Sequence, residues 1–394
     1  MSFQSIDNVT RFRGDFRPAV IAALRTVAMA GIVLTIVYCI FNFQEDLNTG
    51  NLRRIASYIE QLTFDEDPVD TFTFDAGTAS SYAPFDVGVA ICAGGSFRFV
   101  PPFADMEYSC RIKYTDPRLA PCGQFVYVYD LGGRGISRLN SYSLLDEITL
   151  DSDIISLSVN SSGQCAVVTN EAGYRTAVTV FGKHLKEQFK WQTSEHFAFL
   201  SALSPDGGTA AVLCLGQKDG APNLYIRYQP TNGSECKTTV ELGDMNVYDM
   251  EYLSNSRLMV VGDRGVQVFD NSGKLRGSLE IRSGTLTSCE LRREGWCALA
   301  VKAEKGDSTR VFVLDESCQE MWSGDVRGAV RYMALSDDQL AFIAHDGVHR
   351  VLLPEGEEAV RAMVGMRDVL ITETGSVAAV YSDRAQLVSF EAED

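Results

Sequence analysis

The residues of this chain with the chemistry to bind a metal or turn over a substrate are four histidines, ten cysteines and several acidic runs. His345 and His349 have the i, i+4 spacing that puts two imidazoles on one face of a helix for a metal ion. Here they flank Asp346-Gly347, a hairpin signal, and a hairpin does not align such a pair. His184 and His196 stand in no acidic or cysteine pattern that would complete a ligand set. The acidic runs Asp65-Glu66-Asp67, Glu355-Gly356-Glu357-Glu358 and the C-terminus lack the alternating ligands of a calcium loop and read as solvated loops. Gly94-Gly95 and Gly132-Gly133 are not followed by a helix, so neither cradles a phosphate. Asp206, in Ser204-Pro205-Asp206-Gly207, is expected to hydrogen-bond its own backbone. No catalytic, cofactor-binding or metal-ligating residue is assigned.

The cysteines have no C-x-x-C spacing and do not cluster with histidine, so nothing points to zinc. Cys39 lies in an apolar segment, and the other nine, an odd number, cannot all pair within the chain. Cys165 and Cys214 sit in apolar strand runs, where a thiol acts as a small hydrophobe. Cys289 and Cys297 flank Arg293-Glu294-Gly295 almost symmetrically, which makes them the one candidate disulfide across a hairpin. Unpaired thiols suit a reducing or anoxic exterior, or a cytoplasmic domain.

The elements that carry these residues are strands. Arg257–Gly262, Asp263-Arg264-Gly265, Val266–Phe269 and Asn271-Ser272-Gly273 read as strand, turn, strand, turn, and a third strand runs on to Ile281. With Val247–Leu253 in front, this is a four-stranded antiparallel unit of about 40 residues, the period of a β-propeller blade. Eight such units begin near Tyr82, Asp116, Ser152, Thr193, Gly243, Arg282, Arg327 and Gly365. The last supplies only Val369–Thr372, Val377–Tyr381 and Gln386–Phe390. Thr71–Phe74, an alternating strand standing alone, is the natural fourth and would close the ring, removing two exposed edges. An all-β propeller of eight blades is expected over residues 70–394, with seven blades plus an independent tail as the alternative.

Residues 1–17 are polar and basic, and 18–43 are apolar apart from Arg25, Thr26, Thr35 and Asn42. As a helix, the 18 residues of Thr26–Phe43 would run about 27 Å, close to a bilayer core. The segment is too long for a cleaved signal peptide and lacks its small-residue cleavage site. Arg11, Arg13, Arg17 and Arg25 lie on one side of this expected transmembrane helix, with Glu45 and Asp46 on the other. The positive-inside rule then places the N-terminus in the cytoplasm and the propeller outside the plasma membrane. Within 44–69, Leu52, Ile55, Ile59 and Leu62 fall at helical spacing and predict a short amphipathic helix over Asn51–Leu62, followed by a linker. A net charge of −17 argues against nucleic acid as a partner.

Leu203-Ser204-Pro205-Asp206-Gly207 and Val268-Phe269-Asp270-Asn271-Ser272-Gly273-Lys274-Leu275 resemble blade motifs of WD40-like and quinoprotein-like (PQQ-like) propellers. No unit ends in the Trp-Asp of strict WD40 repeats, so the resemblance implies blade topology. A quinone cofactor would need a stacking tryptophan in the channel. Trp191, Trp296 and Trp322 fall near strand ends or hairpins instead, and no cofactor is expected. The whole layout resembles uncharacterised membrane-anchored propeller proteins of Gram-positive bacteria, a family with no assigned chemistry. The expected function is a non-catalytic extracytoplasmic platform binding a protein or a cell-wall polymer. The alternative is a cell-envelope hydrolase or lyase using the central channel.

Overall fold

The computed structural model describes residues 28–35, 37–38, 71–73, 81–86, 88–100, 108–218, 220–236, 238–243, 245–291, 295–372 and 374–390. The chain divides into two compact units, Met1–Glu60 and Gln61–Asp394.

In the first unit, residues 28–35 and 37–38 are helical. Met29, Ile32, Val33, Leu34, Val37 and Tyr38 are all exposed there. Thr35 donates its hydroxyl to the Gly31 carbonyl one turn back (2.9 Å). No helix of the described residues is long and apolar enough to cross a membrane. Most of the expected span, and the expected amphipathic helix over 51–62, lie outside the described residues.

The second unit is a ring of eight four-stranded antiparallel sheets. A short strand, β1 (Thr71–Thr73), precedes the first complete blade. Blade 1 is β2 (Ser81–Phe85), β3 (Gly88–Ala93), β4 (Ser96–Val100) and β5 (Tyr108–Arg111). Blade 2 is β6 (Pro117–Cys122), β7 (Phe125–Asp130), β8 (Gly135–Leu139) and β9 (Leu144–Thr149). Blade 3 is β10 (Ile154–Val159), β11 (Cys165–Thr169), β12 (Thr176–Phe181) and β13 (Glu187–Thr193). Blade 4 is β14 (Phe197–Leu203), β15 (Thr209–Lys218), β16 (Ala221–Pro230) and β17 (Thr238–Glu241). Blade 5 is β18 (Val247–Ser254), β19 (Arg257–Gly262), β20 (Gly265–Asp270) and β21 (Leu275–Glu280). Blade 6 is β22 (Thr285–Leu291), β23 (Cys297–Lys302), β24 (Ser308–Leu314) and β25 (Glu320–Arg327). Blade 7 is β26 (Met333–Leu335), β27 (Gln339–Ala344), β28 (Gly347–Leu352) and β29 (Glu357–Arg361). Blade 8 is β30 (Asp368–Ile371), β31 (Val377–Val380) and β32 (Arg384–Leu387), completed by β1.

The closure follows the expected pairing of the two chain regions. β1 runs antiparallel to β32, with Thr71 opposite Gln386, Phe72 opposite Ala385 and Thr73 opposite Arg384. The last strand differs from expectation in its bounds. It is Arg384–Leu387 rather than Gln386–Phe390, because the tight turn closed by the Tyr381 N–H on the Arg384 carbonyl (2.7 Å) starts it two residues earlier. Phe74 lies outside the described residues.

Burial follows position in the blade. The second strands, such as β3 (GVAICA), β27 (QLAFIA) and β31 (VAAV), are buried along their whole length because each is covered by a neighbouring blade on both faces. Outer strands such as β21 alternate, with Arg276, Ser278 and Glu280 exposed. The core divides into eight apolar clusters, each shared by two adjacent blades. One joins Val89 and Ile91 of blade 1 to Leu370, Ala378 and Val380 of blade 8, so the last interface is packed like the others. Burying one such Val, Leu or Ile is worth about 1.5–3 kcal/mol, so each interface contributes several times the net worth of one hydrogen bond. Eight sheets and eight interfaces exclude the seven-blade alternative. Gly265 and Gly347 close equivalent hairpins in blades 5 and 7, at φ 126° and 145°. A side chain there would strike the carbonyl of Leu279 or Arg361 on the outer strand, at 1.9 and 2.0 Å.

Candidate binding face and central channel

The innermost strands β2, β6, β10, β14, β18, β22, β26 and β30 each touch the next, and β30 touches β2, so together they wall a central channel. One mouth lies among the first hairpin turns of the blades. The other lies among the blade-to-blade connections, here called the connection face.

At the connection face the inner strands share a device that repeat spacing did not reveal. β10, β14, β18 and β22 each carry a bulge near their start, leaving Ile155, Phe199, Tyr248 and Thr287 without an opposite residue. In blade 7 both Arg331 and Tyr332 bond to the backbone of Ile343. In blade 8 Arg367 donates to the Val380 carbonyl, although Asp368 is the residue opposite Val380. Bulges add local twist and re-aim side chains. The signal for them was present as a slip in two-residue alternation, in doublets such as Ile154-Ile155 and Phe199-Leu200.

The bulges present large side chains to solvent: Phe199 is 39% and Tyr248 52% exposed. Between blades 4 and 5 these two rings border a groove of about 740 Å³ whose walls include Leu200, Leu213, Leu224 and Met245. The hairpin of β15 and β16, ten residues in each strand, rises beside it. Lys218 near its tip is paired with Glu241 (2.6 Å).

Inside the channel wall stand three carboxylates. Asp249 follows the bulge of β18, Asp368 begins β30, and Glu290 lies near the far end of β22. Asp249 and Asp368 each accept the N–H of the following residue at 2.8 Å. Desolvation raises the pKa of all three. Glu290 is pushed up to about 8, by burial first and then by the charges of Asp249 and Asp368. Asp368 is raised to about 6 by burial. Asp249 is raised for the same reason although solvent reaches it, a combination that a narrow channel wall supplies. Among the described residues no three His, Cys, Asp or Glu side chains gather closely enough to hold a metal ion.

The structure brings His345 and His349 together through a carboxylate. Asp346 lies 3.5 Å from His345 Nδ1 and 2.8 Å from His349 Nε2, and Glu358 meets His349 Nδ1 at 2.7 Å. His349 is buried and stacks on Phe342, so this cluster ties the β27–β28 hairpin to β29. His184 lies 3.2 Å from the buried Arg138 guanidinium, which is also paired with Asp146. His196 packs edge-on against Tyr225. Asp206 behaves as expected: its Oδ1 accepts the Gly208 N–H (2.9 Å) and the Ser204 hydroxyl (2.7 Å).

The candidate disulfide does not form. Cys289 lies opposite Leu299, and Cys297 lies opposite Leu291, so strand register sets the two sulfurs on a diagonal. All nine described cysteines are free. Trp191 and Trp322 are on outermost strands, and Trp296 lies in the turn that leads into the second strand of blade 6.

In fold the chain is similar to the C-terminal WD40 domain of Sif2, with a TM-score of 0.58 and 12% identity over 84% of this chain and 100% of that one. It is also similar to BamB from Moraxella catarrhalis, with a TM-score of 0.48 and 15% identity over 83% and 98% of the two chains. At such identities the likeness concerns the fold alone. No curated protein matches the sequence. The model of one family, described as a family of unknown function (DUF5711), matches residues 69–351, and the chain belongs to that family.

Proposed function

We propose that this propeller is a non-catalytic, protein-binding platform held at the plasma membrane by its N-terminal segment, with the N-terminus cytoplasmic and the propeller extracytoplasmic. The observation that carries the binding role is the pair of bulged aromatic residues, Phe199 and Tyr248, held over the apolar groove between blades 4 and 5. A bulge fixes the backbone beneath each ring, so little side-chain entropy is lost when a partner covers it. Exposed aromatic residues over a preformed apolar groove are the usual anchors of protein interfaces. Anchoring is supported by the helical residues 28–35 and 37–38, where apolar side chains are exposed around the helix, as in a segment meant for lipid. The basic residues on its N-terminal side favour the stated orientation.

The test places a photoreactive phenylalanine analogue at position 199 or 248 of the full-length chain in its native cells. Cross-linked adducts are expected from both positions and not from Lys183, on the hairpin-turn face. No adduct from either position would end the platform reading. Protease added to protoplasts should digest the propeller, and protection of it would reverse the orientation.

A second reading, an envelope hydrolase or lyase acting in the channel, draws on the raised pKa values of Glu290 and Asp368. A protonated Glu290 at neutral pH has the state required of a general acid. Turnover of cell-wall oligosaccharides by the full chain, abolished in Glu290→Gln, would establish it. Equal turnover by the variant would remove Glu290 from it.

A further inference from the structure

The connection face holds a second groove, of about 460 Å³, between the inner strands of blades 7 and 8. Its chemistry differs from that of the first. Tyr332, Met363 and Met366 supply apolar wall, while Arg331, Arg367 and His345 line it as well, with no carboxylate among its lining residues. The protein has 52 acidic and 35 basic side chains. Exposed arginines elsewhere on it find carboxylates: Arg134 meets Asp153, Arg276 meets Asp270, and Arg282 meets Glu280. Arg331 and Arg367 are exposed, and among the described residues neither forms an ion pair.

The acidic groups nearest in sequence are committed elsewhere. Asp346 is held by His349 and His345. Asp368 turns its carboxylate onto the Val369 N–H. Both arginines lie just before the inner strands and bond to Ile343 and Val380 through their backbone N–H groups, beside a neighbouring residue that shares the same partner. That geometry fixes the base of each side chain while the guanidinium stays in solvent. A planar guanidinium binds carboxylate through two parallel hydrogen bonds, and methionine adapts to varied apolar shapes.

We propose that this groove binds a short protein segment in which a carboxylate stands beside an apolar side chain. Arg331 and Arg367 take the carboxylate, and Tyr332, Met363 and Met366 take the apolar group. The proposal rests on the reading of the connection face as a protein-binding surface and gives it a second, charge-selective site.

Fluorescence anisotropy on the full-length chain in detergent tests it. The probes are the labelled peptide Gly-Ser-Glu-Asp-Leu-Phe and its neutral counterpart Gly-Ser-Gln-Asn-Leu-Phe, both amidated at the C-terminus. The acidic probe is expected to bind at least tenfold more tightly, and raising salt from 50 to 300 mM should weaken it alone. Arg331→Ala, Arg367→Ala and the double variant should lose the preference with unchanged melting temperatures. Arg282→Ala, on the same face but already paired, should keep it. Equal binding of the two probes, no binding of either, or a preference that survives the double variant would overturn the proposal. Displacement of the acidic probe by phosphatidylglycerol vesicles through the same two arginines would also overturn it, in favour of a lipid headgroup. If the cross-links at 199 and 248 persist while the acidic preference is absent, this site falls and the platform reading stands.

Discussion

Replacing Glu290 with glutamine should change how stability depends on pH. In the folded protein Glu290 is partly buried on the channel wall and feels Asp249 and Asp368, and its pKa is pushed up to about 8. In the unfolded chain it would titrate near 4.3, the ordinary glutamate value. Between those two values the folded state binds more protons than the unfolded state, so stability falls as pH rises. The stability is full below about pH 4, and is lost progressively up to about pH 8. At about 1.4 kcal/mol per pKa unit the ceiling is roughly 5 kcal/mol. The channel side of Glu290 is partly hydrated, which screens its charge and brings the expected loss to about 2–3 kcal/mol. Glutamine is nearly isosteric and cannot ionise, so Glu290→Gln should remove most of that slope. Urea unfolding of the full chain in detergent, followed by tryptophan fluorescence from pH 5 to pH 9, reads it directly. The wild type should lose stability across that range, and the variant should be the more stable of the two at pH 9. Parallel pH profiles for the two proteins would refute the placement of an ionising Glu290 on a desolvated wall.

Ring closure makes a second prediction. Deleting residues 70–76 removes the three pairs between β1 and β32 and opens an edge along Arg384–Leu387. At about 1 kcal/mol per ladder hydrogen bond this costs about 2–3 kcal/mol and should lower the melting temperature by several degrees; an unchanged value would show that blade 8 is stable with three strands. Alkylation of the native, unreduced protein should label chiefly the partly exposed Cys110 and Cys236, with Cys289 slower because burial pushes its thiol up to about 12. Cys92, Cys165 and Cys214, pushed up to about 12 by burial, should react only after unfolding, and four disulfides by mass spectrometry would contradict the free thiols described here.

Much of the architecture was legible because a propeller is local. Each blade is four consecutive strands joined by short turns, so period, turn residues and alternation all lie within about 40 residues of one another. Asp270 shows this well, its Oδ1 accepting the N–H groups of Ser272 and Lys274 in the turn that its own motif announces. The unpaired Thr71 strand could be assigned to the far end of the chain because a three-stranded unit and a lone strand each leave backbone groups unsatisfied. The second strands β11 and β15 were legible as the apolar runs around Cys165 and Cys214.

Tertiary structure alone decided what the ring brings together. Asp249, Glu290 and Asp368 stand on three different blades, and their proximity exists only because eight sheets close around one axis. Arg331 and Arg367 are likewise ordinary loop arginines until blades 7 and 8 pack side by side. Register settled the cysteines: Cys289 and Cys297 look symmetric about their turn, yet the ladder offsets them, so spacing could not predict the pair. A strand sequence encodes which face is buried through alternation, a property of neighbours along the chain. Which side chains meet across blades depends on bulges, on register and on the angle at which the ring closes, and those are set by contacts between residues far apart in sequence.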